Sequence, residues 1–127
     1  MPYNPGGHWV LAVLDMETTT CYYLDSGKPA NVDPKLKQMI ETAMVLYSTQ
    51  IGSIKRVKIT WINVVCPRQP GSTECGYYVL RFMKEVVEGG IEVLKNDFGS
   101  GKSEYTDDDI DDVREEWASF VTNFIFR

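Results

Sequence analysis

Two runs of apolar and β-branched residues near the start of the chain predict a pair of strands. The first covers residues 8–15, after a Gly-Gly pair that ends an N-terminal loop, and the second covers residues 20–25. The polar connection between them, residues 16–19, is short enough for an antiparallel hairpin. Glycine and proline within residues 26–29 then end the second strand.

A helix and a third strand are predicted next. Asp33 suits the N-cap position and Pro34 the first helical position, and the helix should end before Gly52. Its apolar residues recur at helical spacing: Leu36, Met39, Ile40, Ala43, Met44 and Tyr47. Residues 56–65, rich in Val, Ile and Thr, predict the third strand, with Trp61 in the core.

Two more helices are predicted in the second half, separated by a flexible loop over residues 96–105. One runs from Glu74 to Glu88, and the other starts at Thr106, where Asp109 completes a capping box. Their core-facing stripes are Tyr78, Val79, Phe82, Met83, Val86 and Val87 in one, and Ile110, Val113, Trp117, Phe120, Val121 and Phe124 in the other. This order of elements predicts an α+β fold with about three strands flanked by helices.

Length and charge limit the possible functions. A chain of 127 residues with 43% apolar content predicts one domain with a real core. The net charge is −5, and eight of the 18 acidic residues lie within residues 104–116. We interpret this acidic run as an exposed helix start, with a docking surface as the less favoured alternative. No basic stripe indicates a nucleic-acid partner, and no apolar run approaches the ~20 residues that a membrane span needs.

The cysteines indicate a reducing environment. Cys21, Cys66 and Cys75 are odd in number and form no Cys-x-x-Cys motif, and His8 is the only histidine. The sequence therefore predicts neither a metal site nor a cofactor. Free thiols are typical of the nucleus or cytoplasm, and we interpret Cys21 and Cys66 as inert packing residues.

Three residues suggest nucleophilic catalysis. Cys75 lies where a turn-rich loop gives way to a helix, and the helix dipole favours its thiolate. His8 opens the first strand and Asp25 closes the second, so a hairpin would make them neighbours. If the helix of Cys75 packs across that hairpin, a nucleophile, a base and an orienting carboxylate meet, as acyl transfer by a thiol requires.

The same loop offers donors for an oxyanion. The backbone N–H of Cys75 is one candidate, and the side-chain amide of Gln69 is a second. Each candidate also has a structural interpretation. His8 can be a structural residue, Asp25 a turn residue, Gln69 a solvated loop residue and Cys75 an inert core residue. The four signals gain weight only as a set.

In order and spacing, these residues resemble the ubiquitin-like protein protease family, the SUMO- and sentrin-specific cysteine proteases. The likeness is strongest to members carried by plant transposons and covers roughly residues 3–90. The motifs that carry it are His8-Trp9, Leu24-Asp25-Ser26 and Gln69 followed, after five residues, by Cys75-Gly76.

The resemblance implies the C-terminal half of a papain-like α+β cysteine protease. It implies hydrolysis after the Gly-Gly terminus of a ubiquitin-like modifier, in precursor processing or in deconjugation. By position, Cys75 is the nucleophile, His8 the base, Asp25 its orienting carboxylate and Gln69 the oxyanion donor. Trp9 is expected to cover the narrow tunnel for the Gly-Gly tail, with core packing as its alternative.

Two departures from the family pattern are visible. Glu74 replaces an aspartate that many members have, which keeps the charge. Only seven residues precede His8, so residues 1–127 are expected to form a catalytic domain without its N-terminal part. Exposed apolar surface is then predicted where that part would pack.

Two other functions stay open. A non-catalytic, transposon-derived remnant or binding module would have the same fold without activity. Viral polyprotein proteases and bacterial effectors that transfer acetyl groups use the same Cys/His chemistry. The match at Trp9 favours a Gly-Gly substrate over the substrates of these viral proteases and bacterial effectors.

Overall fold

A computed structural model describes residues 1–28, 31–53 and 57–126. Within these ranges the elements are β1 (Pro2–Tyr3), β2 (Val10–Asp15), β3 (Thr20–Leu24), α1 (Pro34–Gln50), β4 (Thr60–Asn63), α2 (Cys75–Gly89), a 3₁₀ turn (Ile91–Leu94) and α3 (Asp107–Ile125). The strands form one mixed sheet in the order β1-β2-β3-β4, in which only β3 and β4 run parallel. The predicted α+β class is confirmed.

The predicted hairpin is confirmed by β2 and β3. They pair in antiparallel register from Leu11 opposite Leu24 to Asp15 opposite Thr20. β1 was not predicted. Its two residues lie in the segment that we expected to be an N-terminal loop, and they pair with Val10 and Leu11 of β2. A two-residue strand shows no alternation of apolar and polar positions, so the sequence pattern could not indicate it.

The helix α1 carries the chain from β3 to β4, because parallel strands need a long crossover connection. Its predicted N-terminus is confirmed, since Asp33 Oδ1 accepts from the backbone N–H of Lys35 at 2.8 Å. The predicted stripe was too broad. Only Leu36, Ile40 and Met44 are buried, while Met39, Ala43 and Tyr47 are exposed.

The third predicted strand is shorter than expected. β4 covers Thr60–Asn63, and the predicted starting residue Arg56 lies outside the described residues, as does Pro29 of the predicted break after β3. Trp61 is half-buried and packs at the edge of the core cluster beneath α1.

The sheet separates two core clusters, because side chains alternate along a strand. Val10, Ala12, Cys21 and Tyr23 face α1 on one side. Leu11, Tyr22 and Leu24 face α2 on the other, where they pack with Tyr78, Val79 and Phe82. Every residue of β3 is buried. The packing of α2 across the β2–β3 hairpin is the condition that the sequence argument set for assembling the site.

The start of α3 confirms the capping box. Thr106 Oγ1 accepts from the backbone N–H of Asp109 at 3.2 Å, and Asp109 Oδ2 accepts from that of Thr106 at 2.9 Å. None of the helices described has both the length and the apolar character of a membrane-spanning segment.

The expected core stripe of α3 was wrong in its second half. Val113 is buried, but Trp117, Phe120, Val121 and Phe124 are 42–63% exposed. The reason is that α3 meets α2 along its first half, where Arg81 pairs with Asp112 and Lys84 with Glu116. Spacing along a helix identifies an apolar face but not what covers it. This face is exposed apolar surface; the expectation that such surface lies where an N-terminal part would pack stays a prediction.

Phe82 should be the most sensitive position of the core beneath α2. It is 0% exposed, and its ring centroid lies 5.4 Å from that of Phe98 and 6.1 Å from that of Tyr78. We expect Phe82→Ala to lower the free energy of unfolding by about 3–5 kcal/mol, measured by urea denaturation. Val87 was predicted to face the core, but it is 83% exposed on the same helix. Val87→Ala should therefore change the free energy of unfolding by less than about 0.5 kcal/mol. Equal effects of the two substitutions would contradict the assignment of the core.

Candidate active site

His8 and Asp25 meet at the open end of the β2–β3 hairpin. His8 Nε2 lies 2.6 Å from Asp25 Oδ1, and the side chains are 31% and 12% exposed. The contact that the hairpin predicted is therefore confirmed. An ionised carboxylate can only accept, so Nε2 carries the shared proton and Nδ1 is the ring nitrogen left to act as a base.

Gly27 lies next to both His8 and Asp25 at this end of the hairpin. Its N–H donates to Asp25 Oδ1 at 2.8 Å, which forms a turn capped by the aspartate side chain. A Cβ at Gly27 would lie 3.0 Å from Cε1 and Nε2 of His8, so the glycine lets the ring lie against the turn. Asp25 thus fits both of its predicted interpretations, as a turn residue and as the partner of His8.

Cys75 is the first residue of α2 and is 7% exposed. Its N-cap, Glu74, makes no side-chain capping bond; the carboxylate turns back to accept from the N–H of Thr73 at 3.1 Å. The first N–H groups of a helix have no partner within it, so without a cap they stay free to bind an anion. The predicted placement of Cys75 at a helix start is confirmed.

The Trp9 ring lies close to the start of α2. A Cβ built on Gly76 would come within 3.8 Å of Trp9 Cδ1, so the residues that follow His8 and Cys75 in the chain are neighbours. Trp9 is 43% exposed and is therefore not a core residue. In the described parts of the chain no hydrogen bond joins Cys75 to His8 or Gln69. Catalytic hydrogen bonds in ligand-free enzymes often tighten only when substrate binds.

Gln69 is held at both ends of its side-chain amide. Oε1 accepts from Ser26 Oγ at 2.7 Å, and Nε2 donates to the carbonyl of Gly71 at 2.9 Å. Because a carbonyl can only accept, this second bond fixes which end of the amide is nitrogen. Among the described residues one Nε2 hydrogen has no acceptor, and the side chain is fixed in place rather than merely solvated.

Three residues that hold the site together were given no role in it from the sequence. Ser26 and Gly27 follow Asp25 directly, and an Asp-Ser-Gly turn was a local signal for the contact of Gly27 with Asp25. Arg68 donates from Nη1 to the carbonyl of Gly27 at 3.0 Å. The bond from Ser26 to Gln69 joins residues 43 positions apart, and no sequence pattern indicates it.

The remaining cysteines fit their predicted inert role. Burial raises the pKa of Cys21 and of Cys66 to about 11, so both thiols stay protonated at neutral pH. Cys66 Sγ also donates to the backbone carbonyl of Asp25 at 3.5 Å.

A mixed sheet packed between helices, a cysteine at a helix start and a His–Asp pair on the neighbouring hairpin are features of the papain-like cysteine protease class. The family model described as the Ulp1 protease family, C-terminal catalytic domain, matches residues 1–124. The chain belongs to this family.

Solved structures give the same fold. A SUMO protease Ulp1 with its catalytic cysteine oxidised to a sulfenic acid matches with a TM-score of 0.63 and 20% identity, over 100% of this chain and 53% of that one. A de-sumoylating protease matches with a TM-score of 0.65 and 18% identity, over 98% and 57%. The chain thus spans little more than half the length of these two solved chains. No curated protein sequence matches it, and the likeness to transposon-encoded members stays a prediction.

Proposed function

We propose that this chain carries the catalytic centre of a cysteine protease that cleaves after the Gly-Gly terminus of a ubiquitin-like modifier of the SUMO type. The observation that carries the proposal is the 2.6 Å contact of His8 with Asp25 on the hairpin that α2 crosses. Membership of the Ulp1 family supports the substrate class. Precursor processing and deconjugation use the same chemistry, and the proposal includes both.

In the first step, Nδ1 of His8 takes the proton of the Cys75 thiol, and the sulfur attacks the terminal glycyl carbonyl. The C–N bond then breaks, the imidazolium gives its proton to the leaving amine, and a thioester remains on Cys75. Asp25 keeps the proton on Nε2 and stabilises the positive charge of the ring. The leaving amine is a peptide amine in processing and a lysine amine in deconjugation.

In the second step, water attacks the thioester while His8 accepts its proton. The C–S bond breaks, the His8 imidazolium returns its proton to the Cys75 sulfur, and the modifier leaves as a carboxylic acid that loses its proton to water. In both steps the negative charge on the carbonyl oxygen is stabilised by the free Nε2–H of Gln69 and the N–H of Cys75. Side chains and water suffice for each step, so the proposal includes no metal and no cofactor.

Trp9 is proposed to contact the Gly-Gly tail. Its half-exposed ring lies against the start of α2, next to the nucleophile. A flat ring there leaves room for glycines and excludes larger side chains, which favours a Gly-Gly substrate. We also propose the nucleus or the cytoplasm as the location of the protein, since Cys21, Cys66 and Cys75 are all free thiols.

A SUMO-type modifier with a C-terminal electrophile tests the function. We expect it to form a covalent adduct with Cys75, located by peptide mass spectrometry, because the electrophile replaces the scissile carbonyl. Cys75→Ala should form no adduct, and Cys21→Ala should form it normally, since Cys21 is buried on the α1 side of the sheet. A folded chain that reacts with none of the modifiers tested would contradict the proposal and favour a non-catalytic binding module.

A further inference from the structure

We propose that Ser26 is a positioning residue for Gln69, an inference that rests on the proposed function. Ser26 is 1% exposed, although it is polar and follows the end of a strand. A buried hydroxyl is costly unless it is hydrogen-bonded, and that of Ser26 is bonded only to Gln69 among the described residues. Its burial is explained by what it does to Gln69.

Ser26 binds Gln69 twice. Its backbone carbonyl accepts from the N–H of Gln69 at 2.9 Å, and its hydroxyl donates to Oε1 at 2.7 Å. The first bond fixes the loop backbone, and the second fixes the end of a long, flexible side chain. An oxyanion donor is effective only when it is already oriented before the charge develops. The Ser26 hydroxyl supplies that orientation together with the carbonyl of Gly71.

The hydroxyl also affects donor strength. A bond accepted at Oε1 polarises the amide and makes its N–H groups stronger donors, because hydrogen bonds in a chain reinforce one another. The free Nε2–H of Gln69 is the group proposed to meet the oxyanion. Ser26 therefore acts on the transition state through Gln69 without touching the substrate.

The turn at residues 25–27 connects the His8–Asp25 pair with the proposed oxyanion donor, Gln69. Asp25 binds His8, and the next residue, Ser26, binds Gln69. The loop itself has a separate support, since the backbone N–H of Arg68 donates to the carbonyl of Ser103 at 2.8 Å and its Nη1 to that of Gly27. Removing only the hydroxyl should thus release the Gln69 side chain and leave the loop and the His8–Asp25 pair in place.

Ser26→Ala separates reactions that need an oxyanion donor from those that do not. The substrate is a modifier whose terminal glycine carries a fluorogenic amide. We expect kcat to fall roughly tenfold to a hundredfold and KM to stay nearly constant. Removing an oxyanion donor altogether lowers kcat by about 10²–10³-fold, and Ser26→Ala only weakens one donor. Alkylation of Cys75 by iodoacetamide forms no oxyanion and should keep its rate. Thr20→Val, which removes a buried hydroxyl from the other end of β3, should change neither reaction.

A double substitution tests whether the effect passes through Gln69. In a Gln69→Ala background, Ser26→Ala should lower kcat little further, because the amide that the Ser26 hydroxyl binds has already been removed. A full, independent loss in that background would overturn the proposal. So would equal losses of cleavage and alkylation, which would show general disorder of the site.

The side-chain amide of Gln69 gives a measurement that needs no turnover. In ¹⁵N-resolved NMR spectra its two N–H signals should move toward free-glutamine positions in Ser26→Ala and stay in place in Thr20→Val. Unchanged signals in Ser26→Ala would overturn the positioning role whatever the activity. A wild-type chain that cleaves no modifier substrate would instead overturn the proposed function, while these signals would still decide whether Ser26 holds Gln69.

Discussion

Replacing His8 with Gln is expected to lower kcat/KM for the fluorogenic modifier substrate about 10⁴-fold, the upper range for loss of a general acid–base group. A glutamine amide can still donate to Asp25, so the hairpin end should keep its shape. It cannot take the thiol proton or protonate the leaving amine. The chain has no second histidine to replace it.

The control for His8→Gln is Met16→Gln, at an exposed residue just beyond the opposite end of β2. It introduces the same side chain far from the site and should leave kcat/KM unchanged within about twofold. If His8→Gln kept more than a tenth of the activity while Met16→Gln behaved normally, His8 would not be the base. The proposed chemistry at Cys75 would then be wrong.

The His8–Asp25 contact could be predicted because the positions of two residues in a hairpin determine whether they lie opposite each other. The two residues are 17 positions apart, but a short connection fixes the register of two strands, and the register places the start of one beside the end of the other. The N-cap at Asp33 and the capping box at Thr106 were predictable for a similar reason. Each depends on residues within one turn of a helix.

Features that depend on long-range packing could not be predicted in this way. The parallel pairing of β4 with β3 depends on how α1 lies on the sheet, and the two residues of β1 are too few to show a pattern. The aromatic residues of α3 have the spacing of a core stripe, yet α2 packs along only the first half of the helix. The Ser26–Gln69 bond depends on the path of a loop, which no periodicity describes.

The carboxylate of Asp25 should matter in two separable ways, through its position and through its charge. Both the N–H of Gly27 and Nε2 of His8 bond to the same oxygen, Oδ1. In Asp25→Asn, the amide must present its oxygen there, because the N–H of Gly27 needs an acceptor. The turn and the tautomer of His8 then survive, and only the negative charge is lost. Asp25→Ala removes the acceptor as well.

We therefore expect a graded loss of kcat/KM, about 10²-fold for Asp25→Asn and about 10³–10⁴-fold for Asp25→Ala, where the ring is free to adopt the wrong tautomer. Asp33→Asn is the matched control. It removes a carboxylate that caps α1 outside the site, and Asn caps a helix as well as Asp does, so activity should be retained. Equal losses for Asp25→Asn and Asp25→Ala would mean that charge alone matters. Near-normal activity of Asp25→Ala would reduce Asp25 to a turn residue and leave His8 without an orienting partner.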